Sequence, residues 1–386
     1  MKNHCFELRS LWLAVLFAAT LAIPCSASTG NIVTSDLAGN WLIALRGTTG
    51  CGFADMEADI TMNSSGSGTG TLTSHGSCGD SALTGQTFTI NSLKTNGSGT
   101  ANLTCGTACG WNFTIQVAPD RAKFNLVDVA GVNPGNFLEG VGILKSSLGN
   151  ISIPDLAGSW QVTLYGSTGC GVGTTVANFT LDTSGVASNI AETFHTVGCG
   201  DGSVSTNTFT ILSLNQDGSG TANLTCGAGC GWNFNIQVSP DRSTFNLVDV
   251  SSLNPGNFQA GVAVNNSTAS VIVPANLTGN WLLAEYGQGG CGVGSGLVTF
   301  TLNASGTATN AREVSHNGCG NKTTTGNTFT ITSLSADGSG TANLSCGTAC
   351  GFNFTIQVSP DRSTLTLVDV SSANPGNFVI ATALHQ

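Results

Sequence analysis

Four cysteines, one histidine and one aspartate recur at matched places three times along the chain. The cysteines are Cys51, Cys78, Cys105 and Cys109, then Cys170, Cys199, Cys226 and Cys230, then Cys291, Cys319, Cys346 and Cys350. His75, His195 and His316 stand just before the second cysteine of each set, and Asp128, Asp249 and Asp369 follow the fourth. Thiolates and an imidazole at such spacing could hold a zinc ion. A histidine facing an aspartate could also serve as a general base. The even cysteine count points instead to two disulfides per set, with no metal and no cofactor. No Gly-x-Ser-x-Gly, metal motif or paired-carboxylate spacing accompanies the histidines, so the chain is expected not to be an enzyme.

The elements that must position these residues are written three times. GSGTANLTCGTACGWNFTIQV at 97–117 returns in close variants at 218–238 and 338–358, and each copy runs on through PDR to LVDV and then NPGNF. Units of this size bury their own cores, so the chain reads as tandem domains at 35–146, 153–265 and 274–386, not as a solenoid. Helical periodicity is nearly absent. Short alternating runs between Gly, Asn, Ser and Pro predict eight strands in the first unit, at about 40–47, 54–63, 69–75, 86–93, 99–105, 110–117, 123–129 and 137–144. Trp41, Ile43 and Leu45 then share one face, as do Trp111, Phe113, Ile115 and Val117, with the opposite faces expected to be wet. Trp160, Trp232 and Trp281 recur in phase, with Phe352 as a core-filling substitute.

Tight turns (SSGSG, TNGSG, APDRA) alternate with longer loops, so the long loops gather at one end of a meander. Eight such strands can close into an antiparallel up-and-down β-barrel, which removes exposed edges. The alternative is a β-sandwich, in which the first and last strands do not pair. In the barrel arrangement Cys51 and Cys78 lie in neighbouring loops at one end, and Cys105 and Cys109 flank a hairpin at the same end. The expected bonds are therefore Cys51–Cys78 and Cys105–Cys109, repeated in the other units, with the crossed pairings left open. His75, Asp128, His195, Asp249, His316 and Asp369 would sit at this rim as candidate ligand residues. The plainer reading makes the histidines exposed loop residues and has the aspartates accept backbone N–H bonds.

A Gly-x-Trp opens the first strand of every unit (Gly39 and Trp41, Gly158 and Trp160, Gly279 and Trp281), and Asp120-Arg121, Asp241-Arg242 and Asp361-Arg362 fall in the sixth-to-seventh-strand turn. This pattern resembles lipocalins and their calycin relatives, and DGSGTA is similar to a stretch of avidin-type barrels. The usual Thr-Asp-Tyr and a C-terminal helix are missing. The resemblance implies a barrel with an open mouth at the long-loop end.

Residues 1–28 read as a secretory signal peptide: Lys2 and Arg9 precede LWLAVLFAATLAI, and small residues follow. Leu21 to Cys25 also resembles a lipoprotein signal, which would anchor the chain through lipid on Cys25. Eight per cent charged residues and a net charge of −10 leave no basic stripe for nucleic acid or for an acidic membrane surface. The expectation is a secreted or surface-displayed protein of three barrels on short linkers. It would bind or scaffold a protein or small molecule through its stapled mouths. The alternatives are an adhesin-like stalk or a carrier of a small apolar ligand.

Overall fold

The computed structural model describes residues 30–105, 109–129, 135–147, 149–225, 231–249, 257–266, 271–345, 351–370 and 376–386. The signal segment, Cys5 and Cys25 lie outside them. So do Cys226, Cys230, Cys346 and Cys350. The described chain is all-β apart from three short 3-10 turns, and none of its helices is long and apolar enough to cross a membrane.

Barrel 1 comprises β1 (Gly39–Thr49), β2 (Gly52–Met62), β3 (Ser67–Gly76), β4 (Gly79–Leu93), β5 (Ser98–Cys105), β6 (Cys109–Val117), β7 (Lys123–Val127) and β8 (Phe137–Leu144). Barrel 2 comprises β9 (Gly158–Thr168), β10 (Gly171–Leu181), β11 (Val186–Thr196), β12 (Gly200–Leu214), β13 (Ser219–Thr225), β14 (Gly231–Val238), β15 (Thr244–Asp249) and β16 (Phe258–Asn265). Barrel 3 comprises β17 (Gly279–Gly289), β18 (Gly292–Leu302), β19 (Thr307–Asn317), β20 (Gly320–Leu334), β21 (Ser339–Ser345), β22 (Gly351–Val358), β23 (Thr364–Val368) and β24 (Phe378–His385). Each set closes by antiparallel pairing of its first and last strands, as Trp41 with Leu144, Trp160 with Asn265 and Trp281 with His385. That pairing excludes the sandwich alternative.

Each barrel is plugged at its tight-turn end. The residues before the first strand form a 3-10 turn whose leucine is buried: Leu37, Leu156 or Leu277. Its carbonyl accepts the indole N–H of Trp41, Trp160 or Trp281 at 2.8 Å. A buried indole needs such an acceptor, so the Gly-x-Trp string and the turn before it act together. Arg121, with φ of 60°, turns back from the β6–β7 connection, and its Nε donates to Asp36 at 2.9 Å.

The barrels are not beads on linkers. Residues 31–386 form one compact unit. β7 of barrel 1 lies against β17 and β24 of barrel 3, β15 of barrel 2 against β1, β2 and β8 of barrel 1, and β23 of barrel 3 against β9 and β10 of barrel 2. One head-to-tail contact, used three times, closes on itself as a cyclic trimer does. Here the three protomers are one chain. The strands at these seams are buried on both faces: β7 and β15 throughout, β1 from Trp41 to Gly47, β8 from Phe137 to Ile143. Leu42 and Ala44, expected on a wet face, and Val127 are covered by neighbouring barrels, and so are Val141 and Ile143, which share with Phe137 the outward face of a strand whose Leu138 faces the barrel core. Solvent is left with the outer faces of strands such as β4, whose first seven residues are all exposed.

Candidate functional site

The sulfurs of Cys51 and Cys78, of Cys170 and Cys199, and of Cys291 and Cys319 are bonded. Each bond joins the first and third inter-strand loops at the barrel mouth. Cys105 is also disulfide-bonded, and Cys109 is its register partner across the β5–β6 hairpin. The bonded sulfurs cannot serve as the zinc-binding thiolates considered from the spacing.

The histidines are not exposed loop residues. His75, His195 and His316 are between 2% and 6% exposed and stand at the seams between barrels. The ring of His75 lies 4.8 Å from Phe258 of barrel 2, that of His195 4.5 Å from Phe378 of barrel 3, and that of His316 4.7 Å from Phe137 of barrel 1. Each Nδ1 bonds the side chain at the start of the next strand: Asp80, Asp201 or Asn321. The Nε2 of His75 meets the Asn257 carbonyl at 3.2 Å. Beside His195 an open cavity of about 340 Å³ is lined by Asp201, Gly376 and Phe378.

Asp128, Asp249 and Asp369 are likewise buried at seams, rather than set around an open mouth. The backbone carbonyl of Asp128 accepts from Ser295 of barrel 3, and that of Asp369 from Thr174 of barrel 2. Asp55 of barrel 1 holds the place of Thr174 and Ser295. Burial, and then the charge of Asp249, push the Asp55 carboxyl well above the usual range, against the pull of Arg46. The structure thus brings each histidine to an aromatic ring of the next barrel. It does not pair His75 with Asp128.

A pseudo-threefold axis, with no counterpart in the expectations from sequence, runs between the barrels. At the closed ends, the three Asp-Arg turns converge. Lys123 Nζ sits 3.0 Å from Asp120, 3.3 Å from Asp241 and 3.2 Å from Asp361, one carboxylate from each barrel. Carboxylate oxygens this close could hold a metal ion, but the ammonium stands among them. Burial disfavours the ammonium, and the three carboxylates outweigh it, holding Lys123 charged well above the ordinary lysine range. Burial also pushes Asp241 upward. The Lys123 charge and the hydroxyls of Ser239 and Ser243 overcome this and bring Asp241 down to about 2. Thr244 and Thr364 hold the lysine's place in the other repeats, so one cation serves all three turns.

At the mouth end the axis is aromatic: Tyr165 and Tyr286 meet with ring centroids 4.9 Å apart, and Phe53 packs on both. Arg46, at the position of these tyrosines, pairs with Glu139 at 2.6 Å, both side chains buried. Burial raises Glu139 to about 7, against the pull of Arg46. The three mouths therefore gather around one pole and the three closed ends around the other.

Inside the mouths the copies diverge. Along the inward faces barrel 1 carries Leu45, Met56, Leu72 and Gln86; barrel 2 carries Leu164, Thr175, Glu192 and Asn207; barrel 3 carries Glu285, Gly296, Glu313 and Asn327. Asn207 Nδ2 donates to Glu192 at 2.6 Å, and burial raises the Glu192 carboxyl against this bond. Asn327 Nδ2 and Thr324 Oγ1 donate to Glu313 at 3.2 and 3.3 Å. Glu285 bends over Gly296, where an added Cβ would meet its carboxylate. Burial and the neighbouring Glu313 raise Glu285 to about 8. Expectations drawn on the first unit alone could not find this, because leucines stand there.

No protein-family model and no curated protein matches this sequence. Among solved structures the chain is similar to CghA, at 8% identity over 90% of this chain and 87% of that one, with a TM-score of 0.24. It is also similar to transferrin binding protein B from Haemophilus parasuis, at 9% identity over 90% and 75% and a TM-score of 0.31. The same protein from serogroup B Neisseria meningitidis matches at 8% identity over 86% and 66%, with a TM-score of 0.29. Likenesses this distant carry no functional argument.

Proposed function

We propose that this is an exported, non-enzymatic binding protein that presents three stapled barrel mouths on one side of a closed ring. The observation that carries the reading is the gathering of all three mouth ends at one pole, fixed by the Lys123 cluster at the other. Seam strands buried on both faces hold the mouths at set separations. A partner with repeated features would gain avidity from three linked contacts without any new contact type. The resemblance to lipocalins and calycins, with their open mouths, agrees with this. The disulfides fit an extracellular or surface location, and release of the chain after its signal, or an anchor on Cys25, belongs to the same reading.

A non-enzymatic role rests on the histidines. A general base must reach a substrate proton, whereas each ring packs on a phenylalanine of the next barrel with its Nδ1 engaged, and of the three only His195 borders the open cavity. An adhesin-like stalk has less support, because a ring closed on itself offers no end-to-end extension.

The test uses the mature protein labelled with a fluorophore and the intact cell surface of its source. Thr84, Ser205 and Thr325 are exposed on β4, β12 and β20 near the mouths, and each is replaced by arginine. One substitution should weaken binding by roughly tenfold or more, and all three should abolish it. Unchanged binding by the triple variant, or no binding by the parent, would overturn the proposal.

A further inference from the structure

The lumens of barrels 2 and 3 are furnished differently from that of barrel 1, and the difference has a direction. The positions of Leu45, Met56, Leu72 and Leu83 become Leu164, Thr175, Glu192 and Val204, and then Glu285, Gly296, Glu313 and Thr324. A barrel that only needs to fold gains nothing from a carboxyl where leucine fits, since burying an acid is costly unless it is paired. No ion pair joins Glu192, Glu285 or Glu313 to a cation among the described residues. Lys322, exposed at the rim, is the one positive charge that draws on Glu313.

A second observation comes from barrel 2. Asn207 is 2% exposed, lies in phase with the core residues Phe209 and Ile211, and gives its N–H to Glu192. Its Oδ1 is buried with no donor. A buried acceptor left without a donor costs free energy, and here it stands beside a carboxyl that also lacks a cation. Both groups accept, so what they lack is a donor carrying positive charge. Barrel 3 instead sets two carboxyls, Glu285 and Glu313, in its lumen, with Asn327 and Thr324 donating to Glu313 and no cation paired with either among the described residues. Trp232 and Phe352, at matched places, add aromatic walls packed on the cores, and aromatic faces attract organic cations.

We infer that the mouth lumens of barrels 2 and 3 each bind a small organic ammonium, held by Glu192 and Asn207 in one and by Glu285 and Glu313 in the other. Barrel 1, with leucines there, takes none. The ammonium donates its N–H groups to the carboxylates, and its hydrocarbon portion lies along the Trp232 or Phe352 wall. Solvent reaches Glu285 and Glu313, both only partly buried. The inference concerns the lumens and not the outer rims, so the arginine test of the rims and the test below can fail separately.

The experiment is native mass spectrometry and calorimetry on the mature, oxidised protein at pH 8. The probes are tyramine and n-butylamine, with 4-ethylphenol and n-butanol as neutral counterparts. Two amine molecules should bind per chain, and the neutral counterparts should bind at least about tenfold more weakly, as expected on losing charge-assisted hydrogen bonds. Glu192→Gln should leave one site, Glu285→Gln with Glu313→Gln should leave one, and the three together none. These near-isosteric changes remove buried charge, and a thermal melt confirms folding. Equal affinity for amines and neutral counterparts, full binding by the triple variant, or no amine binding by the parent would each overturn the inference. So would binding of calcium in place of amines at the same residues.

Discussion

The axis and the lumen of barrel 3 both gather acids, yet they treat them oppositely. On the axis each ionised group meets its counter-charge: Lys123 faces three aspartates and Arg46 faces Glu139. In the lumen Glu285 has Glu313 as its charged neighbour, and burial together with that like charge raises the proton affinity of Glu285. Paired buried charge is how a fold fixes which surfaces meet. Acids left without a counter-charge add nothing to that and call for something from outside. Barrel 1 sharpens the contrast, because it supplies both axial cations and has an apolar lumen. The copies are therefore not interchangeable. Three of barrel 1 would crowd three lysines on the axis, and three of barrel 3 would leave three aspartates without one.

The largest effect should come from breaking the axis. Lys123→Met leaves three carboxylates facing one another and should cost about 3–5 kcal/mol of stability, as removing one partner of a buried ion pair does. Denaturant unfolding at pH 7 measures it. Asp241 has its pKa lowered in the folded chain, so its stabilising contribution is present above the ordinary value of 3.8 and is lost as pH falls towards 2. The gap between parent and variant should therefore close in acid. A gap that persists at pH 2 would mean that lysine packing, not charge, holds the turns together.

The other axial pair offers a cleaner dissection. Glu139→Ile alone strands Arg46 and should cost a similar 3–5 kcal/mol. The double change Arg46→Tyr with Glu139→Ile copies what barrel 3 has in Tyr286 and Ile380, and should lie within about 1 kcal/mol of the parent. If the double variant is as unstable as the single, the pair contributes more than its replaceable packing.

The closed barrel was legible because inward alternation survives in every strand and the turn residues fix where strands end. Trp41, Ile43 and Leu45 lie in the lumen core as their phase requires. The ring was not recovered, although its signal was present. Leu42 and Ala44 on β1 and Val141 and Ile143 on β8 make those strands apolar on both faces, and such strands need cover on both. The axial cluster was out of reach for another reason. Lys123 and Asp361 are 238 residues apart, and no local pattern states that the three Asp-Arg turns converge. The lumen acids were readable in principle: Glu285 falls in phase with Trp281 and Leu283. They become visible only when the third copy is compared position by position with the first.

Changes within the lumen should be smaller and opposite in sign to those on the axis. Glu285 keeps its proton in the folded chain up to about pH 8, against an ordinary 4.5. A raised folded pKa means that stability from this group is full below 4.5 and is lost as pH rises through 8. Glu285→Gln should therefore match the parent in acid and melt higher at pH 9, by about 2–4 °C. Glu139 and Asp55, also raised, leave a residual slope of the same sign. A variant that melts lower than the parent at pH 9 would show the carboxyl to be satisfied as it stands, and would remove the reason to look for a cation beside it.

The smallest effect tests whether the seams, rather than the axis alone, hold the ring. Ser295 donates across the barrel 1–barrel 3 seam to the Asp128 carbonyl. Ser295→Ala removes that donor and should cost about 1 kcal/mol, read as a shifted denaturant midpoint with unchanged slope. The change should add to that of Lys123→Met if the two act independently. If the barrels instead separate as units once the axis is broken, the seam bond is already lost in the Lys123→Met background, and Ser295→Ala adds nothing there. The double-variant cycle thus reports whether the ring opens in steps or all at once.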